Sequence, residues 1–404
     1  MRITVVGIGA DGLDGLSAQV RGVIDSAEVV LGGRRHLAML PPSDTQERGV
    51  WPSPLREGLP DLLAQHQGRT IVALASGDPL VSGIGTTLVE LLGDEAVEIV
   101  PAVSSVALAR ARMRWSAEST KVVTLVGRDP HLVARSLAPG LRLIVLSSDG
   151  STPAEVARLL TSAGYGASPM TVLSDLGSSQ EDRVSGVAAT WGDAPAPALN
   201  VVAVELVAPA TPMHGLLAGL PDEAFEHDGQ LTKRDLRASA LARLAPLPGE
   251  LLWDVGAGAG SVGIEWMRAH PTTRTIAIEE RSDRAERIRG NAARLGVPGL
   301  DVVVGQAPRA LIGLDRPDAI FVGGGATEPG LLEQCWAMLG VGGRLVVHGV
   351  TLQTETILAQ WHHQHGGELT RLHVEHAAPI GSFTGWTPSR TITQWAATKE
   401  GAEA

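Results

Sequence analysis

Short runs of aliphatic and β-branched residues punctuate the first half of the chain. They read RITVVGIG, SAEVVLGG, TIVALASGDP, VEIVPAVSS, KVVTLVGR, LRLIVLSS and NVVAVELVAP. Between several of them, as at residues 80–92 and 153–163, apolar positions recur at i, i+3 and i+4, the spacing of an amphipathic helix. Alternating strands and helices predict an α/β architecture. A polar, strand-free stretch at 114–121 divides this half into subdomains of about 1–114 and 115–208, and the irregular, Pro-containing residues 209–221 read as a linker. The remainder, 222–404, gives strands at 251–255, 275–279, 301–304, 319–322, 344–347, 369–374 and 391–396. Helical patterns lie between them, with Ala285, Ile288, Ala292 and Leu295 on one face. Only a loop is expected between the last two strands, so this half predicts a Rossmann-like, seven-stranded, mainly parallel sheet with one antiparallel strand at its edge.

Length agrees with more than one domain, since 404 residues exceed what a single core usually organises. With 44% hydrophobic and 19% charged residues the chain is globular, and no apolar run is long enough to span a bilayer, so no membrane partner is expected. The opening MRITVVGIGADG breaks at glycine after a short apolar run, which predicts a first strand and not a secretory segment. A single cysteine, Cys335, allows no internal disulfide and fits a reducing cytoplasm. A net charge of -11 and 3% aromatic residues argue against a nucleic-acid ligand. A small polycarboxylate needs only a local arginine cluster and stays open as a substrate.

The densest chemical signal is LLWDVGAGAGSVGIEW, a glycine turn after one expected strand and before a helix. Gly258, Gly260 and Gly263 spell the G-x-G-x-x-G of dinucleotide sites; Gly256, Gly258 and Gly260 spell the G-x-G-x-G of S-adenosylmethionine enzymes. Glu279, ending the next strand, suits a pair of ribose hydroxyls under either reading. The fourth strand runs into a second Gly-rich segment, PDAIFVGGGATEPG, Gln306 and Ala307 of GQAP are placed to frame an adenine, and the closing strand carries TITQW. These features favour a single nucleoside, with an NAD-dependent oxidoreductase as the alternative.

Longer motifs carry a family resemblance. The stretch LPDEAFEHDGQLTKRDLRASALARLAPLPGELLWDVGAGAGSVGIEWMR, with IRGNAARLGVP, APRALIGLDRPDAIFVGGG and GSFTGWTP, resembles the C15-methylating, decarboxylating precorrin methyltransferases of cobalamin biosynthesis. GIGADGLDGLS, LGGRRHL, ASGDPLVSGIGTTL, PAVSSVALARARM and SSDGSTPAEVARLL make the first half similar to the C5-methylating members of the tetrapyrrole-methylase class. The resemblance covers nearly the whole chain. It implies a bifunctional enzyme that methylates a reduced precorrin-6 at C5 and C15, removes the carboxyl of the ring C acetate and delivers precorrin-8, with two unrelated S-adenosylmethionine sites.

Carried over by position, the resemblance places Gly7, Gly9, Gly77, Asp78, Pro79, Ser104 and Ser105 at the cofactor of the first half. Thr232, Gly256, Ala257, Gly258, Ala259, Gly260, Glu279, Gln306 and Ala307 are placed at that of the second. For the acid that assists decarboxylation, FEHDGQLTK offers His227, Asp228 and Lys233. Arg34 and Arg35 are candidates for the substrate carboxylates, and Trp386 for stacking on the macrocycle. His362, His363 and His365 lack the spacing of a metal site, and no metal is expected. A homo-oligomer is expected, and a corrinoid-binding protein without catalysis is the second alternative.

Overall fold

The computed structural model describes residues 2–207 and 215–401, so residues 209–214 of the expected linker lie outside the described part. The chain divides into two compact units, residues 1–130 with 138–211 and residues 131–137 with 212–404.

In the first unit, β1 (Ile3–Ile8), β2 (Val29–Gly32), β3 (Glu47–Val50), β4 (Ile71–Ser76) and β5 (Val97–Val100) form a parallel sheet in the order β3-β2-β4-β1-β5. The connections carry α1 (Ala18–Asp25), α2 (Arg34–Ala38), α3 (Leu55–Ala64) and α4 (Ile84–Leu92). Alternate residues of each inner strand feed two different cores: Ile3, Val29, Ile71 and Ala73 on one face, Val6, Val30, Val72 and Leu74 on the other. Both faces are therefore covered, which is why these strands read as continuous apolar runs. The connection leaving β1 returns towards β2 and the one leaving β4 crosses to β5, so the loops after β1 and β4 diverge at the carboxyl ends of adjacent strands. Open parallel sheets bind ligands at such a point.

A second sheet follows, built from β6 (Thr120–Thr124), β7 (Arg142–Leu146), β8 (Pro169–Ser174), β9 (Asp182–Val187) and β10 (Asn200–Glu205) in the order β6-β7-β10-β8-β9. Only β6 and β7 are parallel. Its helices are α5 (Ser105–Met113) and α6 (Thr152–Ser162). The α5 segment, expected with the first subdomain, packs instead on the second sheet: Ala109 and Trp115 share a core with Ile144, Leu173 and Val201. Strands β3, β8 and β9 were not expected from the pattern. Edge strand β9 buries none of its residues, and β8 hides Thr171 and Ser174 at buried positions, so neither alternates.

The second unit holds β11 (Leu251–Val255), β12 (Arg274–Glu279), β13 (Asp301–Val304), β14 (Ala319–Val322), β15 (Arg344–Gly349), β16 (Glu368–Leu372), the hairpin β17 (Glu375–Ile380) and β18 (Phe383–Pro388), and β19 (Ile392–Thr398). Its helices are α7 (Arg234–Leu244), α8 (Ser261–Ala269), α9 (Ser282–Arg294), α10 (Leu331–Met338) and α11 (Leu352–His365). Seven strands pair as β13-β12-β11-β14-β15-β19-β16. The antiparallel strand, expected at the edge, is β19, and it lies between β15 and β16. The β17–β18 hairpin stands where a loop was expected, which gives the chain length to return inside β16. Among the described residues no helix is long and apolar enough to cross a membrane.

Candidate functional site

In the second unit the loops after β11, β12, β13 and β14 are tied to one another by backbone bonds. Gly256 and Ala257 N–H both donate to Ile278 O, at 2.9 and 3.1 Å. Gly305 N–H donates to Glu279 O and Gly323 N–H to Val255 O, each at 3.0 Å. They enclose a cleft of about 290 Å³ whose lining includes Gln230, Gly256, Gly258, Glu279, Arg284, Gln306, Ala307, Gly324 and Glu328. Gly256, Gly258 and Gly260 all have positive φ, at 69°, 59° and 74°, a conformation that residues with a Cβ seldom adopt. At Gly258 a Cβ would also stand 2.8 Å from Gln230 O. Gly263 differs: it lies inside α8, where a Cβ would stand 2.6 Å from Thr275 Cγ2. Its role is close packing of helix on sheet, which removes the third glycine of the dinucleotide pattern from the ligand side.

The buried Glu279 carboxylate accepts from Gly258 N–H at 2.9 Å and from Arg281 N–H at 3.1 Å. Two backbone donors fix it at the end of β12, and its other lone pairs remain for a pair of hydroxyls. Glu279, Glu280 and Glu328 line the cleft against one guanidinium, Arg284, which is itself held 2.9 Å from Asp228. A lining of this sign suits a cationic ligand and repels a diphosphate.

The positions proposed from sequence separate in space. Gly256, Gly258, Glu279, Gln306 and Ala307 line the cleft. Ala257, Ala259 and Gly260 form the turn beneath it, where Ala259 O takes the Asn291 amide at 3.0 Å. Thr232 turns its carbonyl to the buried Arg237. Asp228, a candidate acid, accepts from Arg284 and from Gln230 N–H, with Arg287 nearby. The bond from Arg284 is the main cause that holds its pKa down at about 2, so it is an anion near neutrality and has no proton to donate. Lys233 pairs with Asp222 at 3.3 Å, and Asp222 also accepts from the first turn of α7, at Arg234 N–H. His227 Nδ1 accepts from Gly229 N–H at 3.0 Å, which leaves the neutral ring its proton on Nε2. Trp386 stands on β18 with 69% of its surface exposed, apart from the lining of the cleft. Gln230, Arg284 and Glu328 were not anticipated; Gln230 and Glu328 lie on loops, which carry no periodic signal, and Arg284 is one of several charged residues of α9.

His365 stacks on Trp361 with ring centroids 4.6 Å apart and also touches Trp336 and Trp395. His362 bonds Gly366 O at 3.2 Å. Cys335 is buried in α10, and burial pushes its thiol up to about 12.

In the first unit the loops after β1, β4 and β5 meet with no room for side chains. A Cβ on Gly7 would stand 1.9 Å from Gly77 O, and one on Gly77, where φ is 54°, would stand 3.0 Å from Ser104 Cα. Ala102 N–H donates to Gly77 O at 3.2 Å, locking the β4 and β5 loops together. Ser104 caps α5 through Ala107 N–H, and Ser105 opens that helix. Asp78 accepts from Leu80 N–H at 2.9 Å, and the Pro79 carbonyl packs against Gly83 and Gly85. At Gly9 a Cβ would meet Asp11 Oδ1 at 2.3 Å. Arg34 is exposed, whereas Arg35 folds onto its neighbours with Nη2 2.8 Å from His36 Nε2 and 3.0 Å from Ser76 Oγ.

Residues 2–191 match the tetrapyrrole (corrin/porphyrin) methylases and residues 223–399 the precorrin methyltransferase domain, so two methyltransferase modules lie in tandem. Over 398 residues the chain is 45% identical to the precorrin-6Y C(5,15)-methyltransferase [decarboxylating] of Sinorhizobium sp, covering 98% of this chain and 96% of the relative. Over 400 residues it is 44% identical to the protein of the same description from Mycobacterium tuberculosis, covering 98% of this chain and 100% of that one. The solved C-terminal domain of precorrin-6Y C5,15-methyltransferase from Rhodobacter capsulatus is 45% identical and covers 46% of this chain and 100% of that one, with a TM-score of 0.44. The chain belongs to the precorrin-6Y C5,15-methyltransferase (decarboxylating) family. It is a decarboxylating methyltransferase of cobalamin biosynthesis, and the oxidoreductase and non-catalytic alternatives fall away.

Proposed function

We propose that each unit holds its own S-adenosylmethionine, the first unit methylating C5 of the reduced precorrin and the second methylating C15 and releasing the ring C acetate carboxyl as CO2. Methyltransferases of this family use that donor. The observation that carries the two-site reading is a glycine cradle in each unit, at Gly7 and Gly77 and at Gly256 and Gly258, in which a Cβ would meet backbone of the same unit.

When bound, the donor supplies an electrophilic methyl group on a sulfonium. The chain itself binds and orients. In the second unit Glu279 is preset for the ribose hydroxyls, Gln306 and Ala307 frame the adenine, and the acidic lining complements a cation. Positioning alone can lower the barrier by up to ~7–11 kcal/mol, so no protein nucleophile is needed. In the decarboxylation the bond between the acetate methylene and its carboxyl breaks, and the electron pair passes into the ring system. A proton then adds at the methylene to leave a methyl group. Of the three candidates, Asp228 is held as an anion, Lys233 is paired with Asp222, and His227, whose Nδ1 accepts from Gly229 N–H, presents its Nε2–H as a hydrogen-bond donor and not as an acid, so the proton comes from solvent.

The test uses the full chain, a reduced precorrin and methyl-labelled donor, with products read by mass and NMR. Gly258→Val is expected to abolish C15 methylation and CO2 release while the C5 methyl is still added; Gly7→Val is expected to do the reverse. Loss of both methyl transfers in either single variant, with the fold intact by circular dichroism, would refute the division of labour.

A further inference from the structure

We propose that His36 is a positioning residue of the first unit: as a neutral imidazole it holds the Arg35 guanidinium so that the unpaired edge of that guanidinium takes a carboxylate of the methyl acceptor. The inference rests on the assignment of Arg35 to substrate binding and names what makes that arginine competent.

His36 is 9% exposed. Its Nε2 lies 2.8 Å from Arg35 Nη2 and 3.0 Å from Ser76 Oγ. A guanidinium has donors and no acceptor, so Nε2 must present a lone pair to it and the ring proton must sit on Nδ1. Burial first, and the Arg35 charge second, lower the His36 pKa to about 4, which agrees with a ring that is uncharged at neutral pH. The acceptor role is thus imposed by the contact with Arg35, and it leaves the His36 Nδ1–H buried without a partner.

Arg35 Nη1 is buried without a hydrogen-bond partner. Burial lowers the Arg35 pKa, and the charge of Asp175, just past β8 with φ of 49°, works against that by favouring the charged guanidinium. A buried guanidinium N–H without an acceptor is costly, and a carboxylate oxygen there would satisfy it. The placement suits the acceptor of the methyl group. Arg35 and His36 lie in the first turn of α2, shortly after β2, Ser76 closes β4, and the Gly7–Gly77–Ala102 cradle lies on the other side of β4, towards β1 and β5. The carboxylate has two conceivable sources, a side chain of the tetrapyrrole or the amino-acid end of the methyl donor. The side of the sheet favours the tetrapyrrole.

The full-length protein is assayed for C5 methylation with Arg35→Ala, His36→Leu and His36→Gln, while S-adenosylhomocysteine affinity at the first site is measured in the Gly258→Val background. Arg35→Ala and His36→Leu are each expected to raise the precorrin KM about tenfold, the loss of one hydrogen bond to a charged group, with kcat and S-adenosylhomocysteine affinity nearly unchanged. His36→Gln, whose amide oxygen reaches the Nε2 position, is expected to restore most of that KM; a merely structural role would show no such rescue. If Arg35→Ala raises the KM and His36→Leu does not, the role of His36 is overturned while the reading of Arg35 stands. If neither moves it, both fall. A loss that appears in S-adenosylhomocysteine affinity instead assigns the carboxylate to the donor and overturns the proposal.

Discussion

Asp254 ends its side chain under the glycine turn of the second unit, 2.9 Å from Gly263 N–H and shut off from solvent. Burial pushes its pKa up to about 7; the bond from Gly263 pulls the other way, and the Glu279 charge adds to the rise. In the unfolded chain the group titrates near 3.8, so between 3.8 and about 7 the folded chain holds the proton more tightly. Its contribution to stability is complete below the lower value and is lost as pH rises through the upper one. His348, buried on β15 beside Gln394 Oε1 at 2.8 Å, has the opposite sign. Burial lowers it from 6.5 to about 4, so its contribution is present above 6.5 and is lost as pH falls towards 4. Asp254→Asn keeps an oxygen for Gly263 and carries no charge. It is expected to stabilise the protein at pH 8 by roughly 1–3 kcal/mol and to lose that advantage by pH 5, read from urea unfolding at both pH values. Residue chemistry was unevenly legible in the sequence. Three glycines of the turn needed positive φ and one needed only room, a difference that spacing hinted at and φ decides. The pairing of Arg35 with His36 was not legible, because adjacency in sequence does not say which of two arginines folds back onto the histidine.

At the level of elements, the segment that carries His227 to Lys233 is fastened to the second unit by charges buried in helices α7 and α8. Arg237 of α7 is fully buried, donates to Glu265 of α8 at 2.6 Å and lies over the Phe225 ring at 4.7 Å from its centroid. Its remaining nitrogens donate to Thr232 O and Leu220 O, while Glu265 accepts from Gly219 and Leu220 N–H. The pair is therefore tied to the backbone of residues 219–232, with the Asp222 carboxylate also 3.5 Å from the Arg237 guanidinium. The same segment brings Gln230 to the cleft and its carbonyl against Gly258. Arg237→Met leaves Glu265 charged and buried without its partner, a change that typically costs about 3–5 kcal/mol. We expect a loss of that size in denaturant unfolding of the second unit, together with weaker S-adenosylhomocysteine binding there. Arg237→Met with Glu265→Met is expected to recover part of the stability but not the affinity, because the backbone it fastened stays free. The sequence pointed to this segment by its polar residues and missed what holds it, since a helical pattern does not reveal which of its charged residues is turned inward.

For the whole chain, the second unit was legible wherever strands were buried on both faces, as at β11 and β14, and illegible at the hairpin, where β17 and β18 bury no residue and leave no alternation to read. The same reasoning explains why the first cofactor site was inferred from resemblance and the second from pattern. SGDP is a turn whose tightness depends on Gly7 and Ser104, distant in sequence, whereas the turn at Gly256 to Gly260 carries its signature in a single run. Two cradles built on different sheets should bind independently, each by its own loops. Titration of the full chain with S-adenosylhomocysteine in a calorimeter is expected to give two molecules per chain. Gly258→Val should reduce this to one while the remaining site keeps its affinity within about threefold, a difference of less than ~1 kcal/mol. Gly7→Val should leave the other one. A stoichiometry of one in the unmodified chain, or one variant that empties both sites in a folded protein, would mean that only one cradle serves the donor and that both methyl groups pass through it.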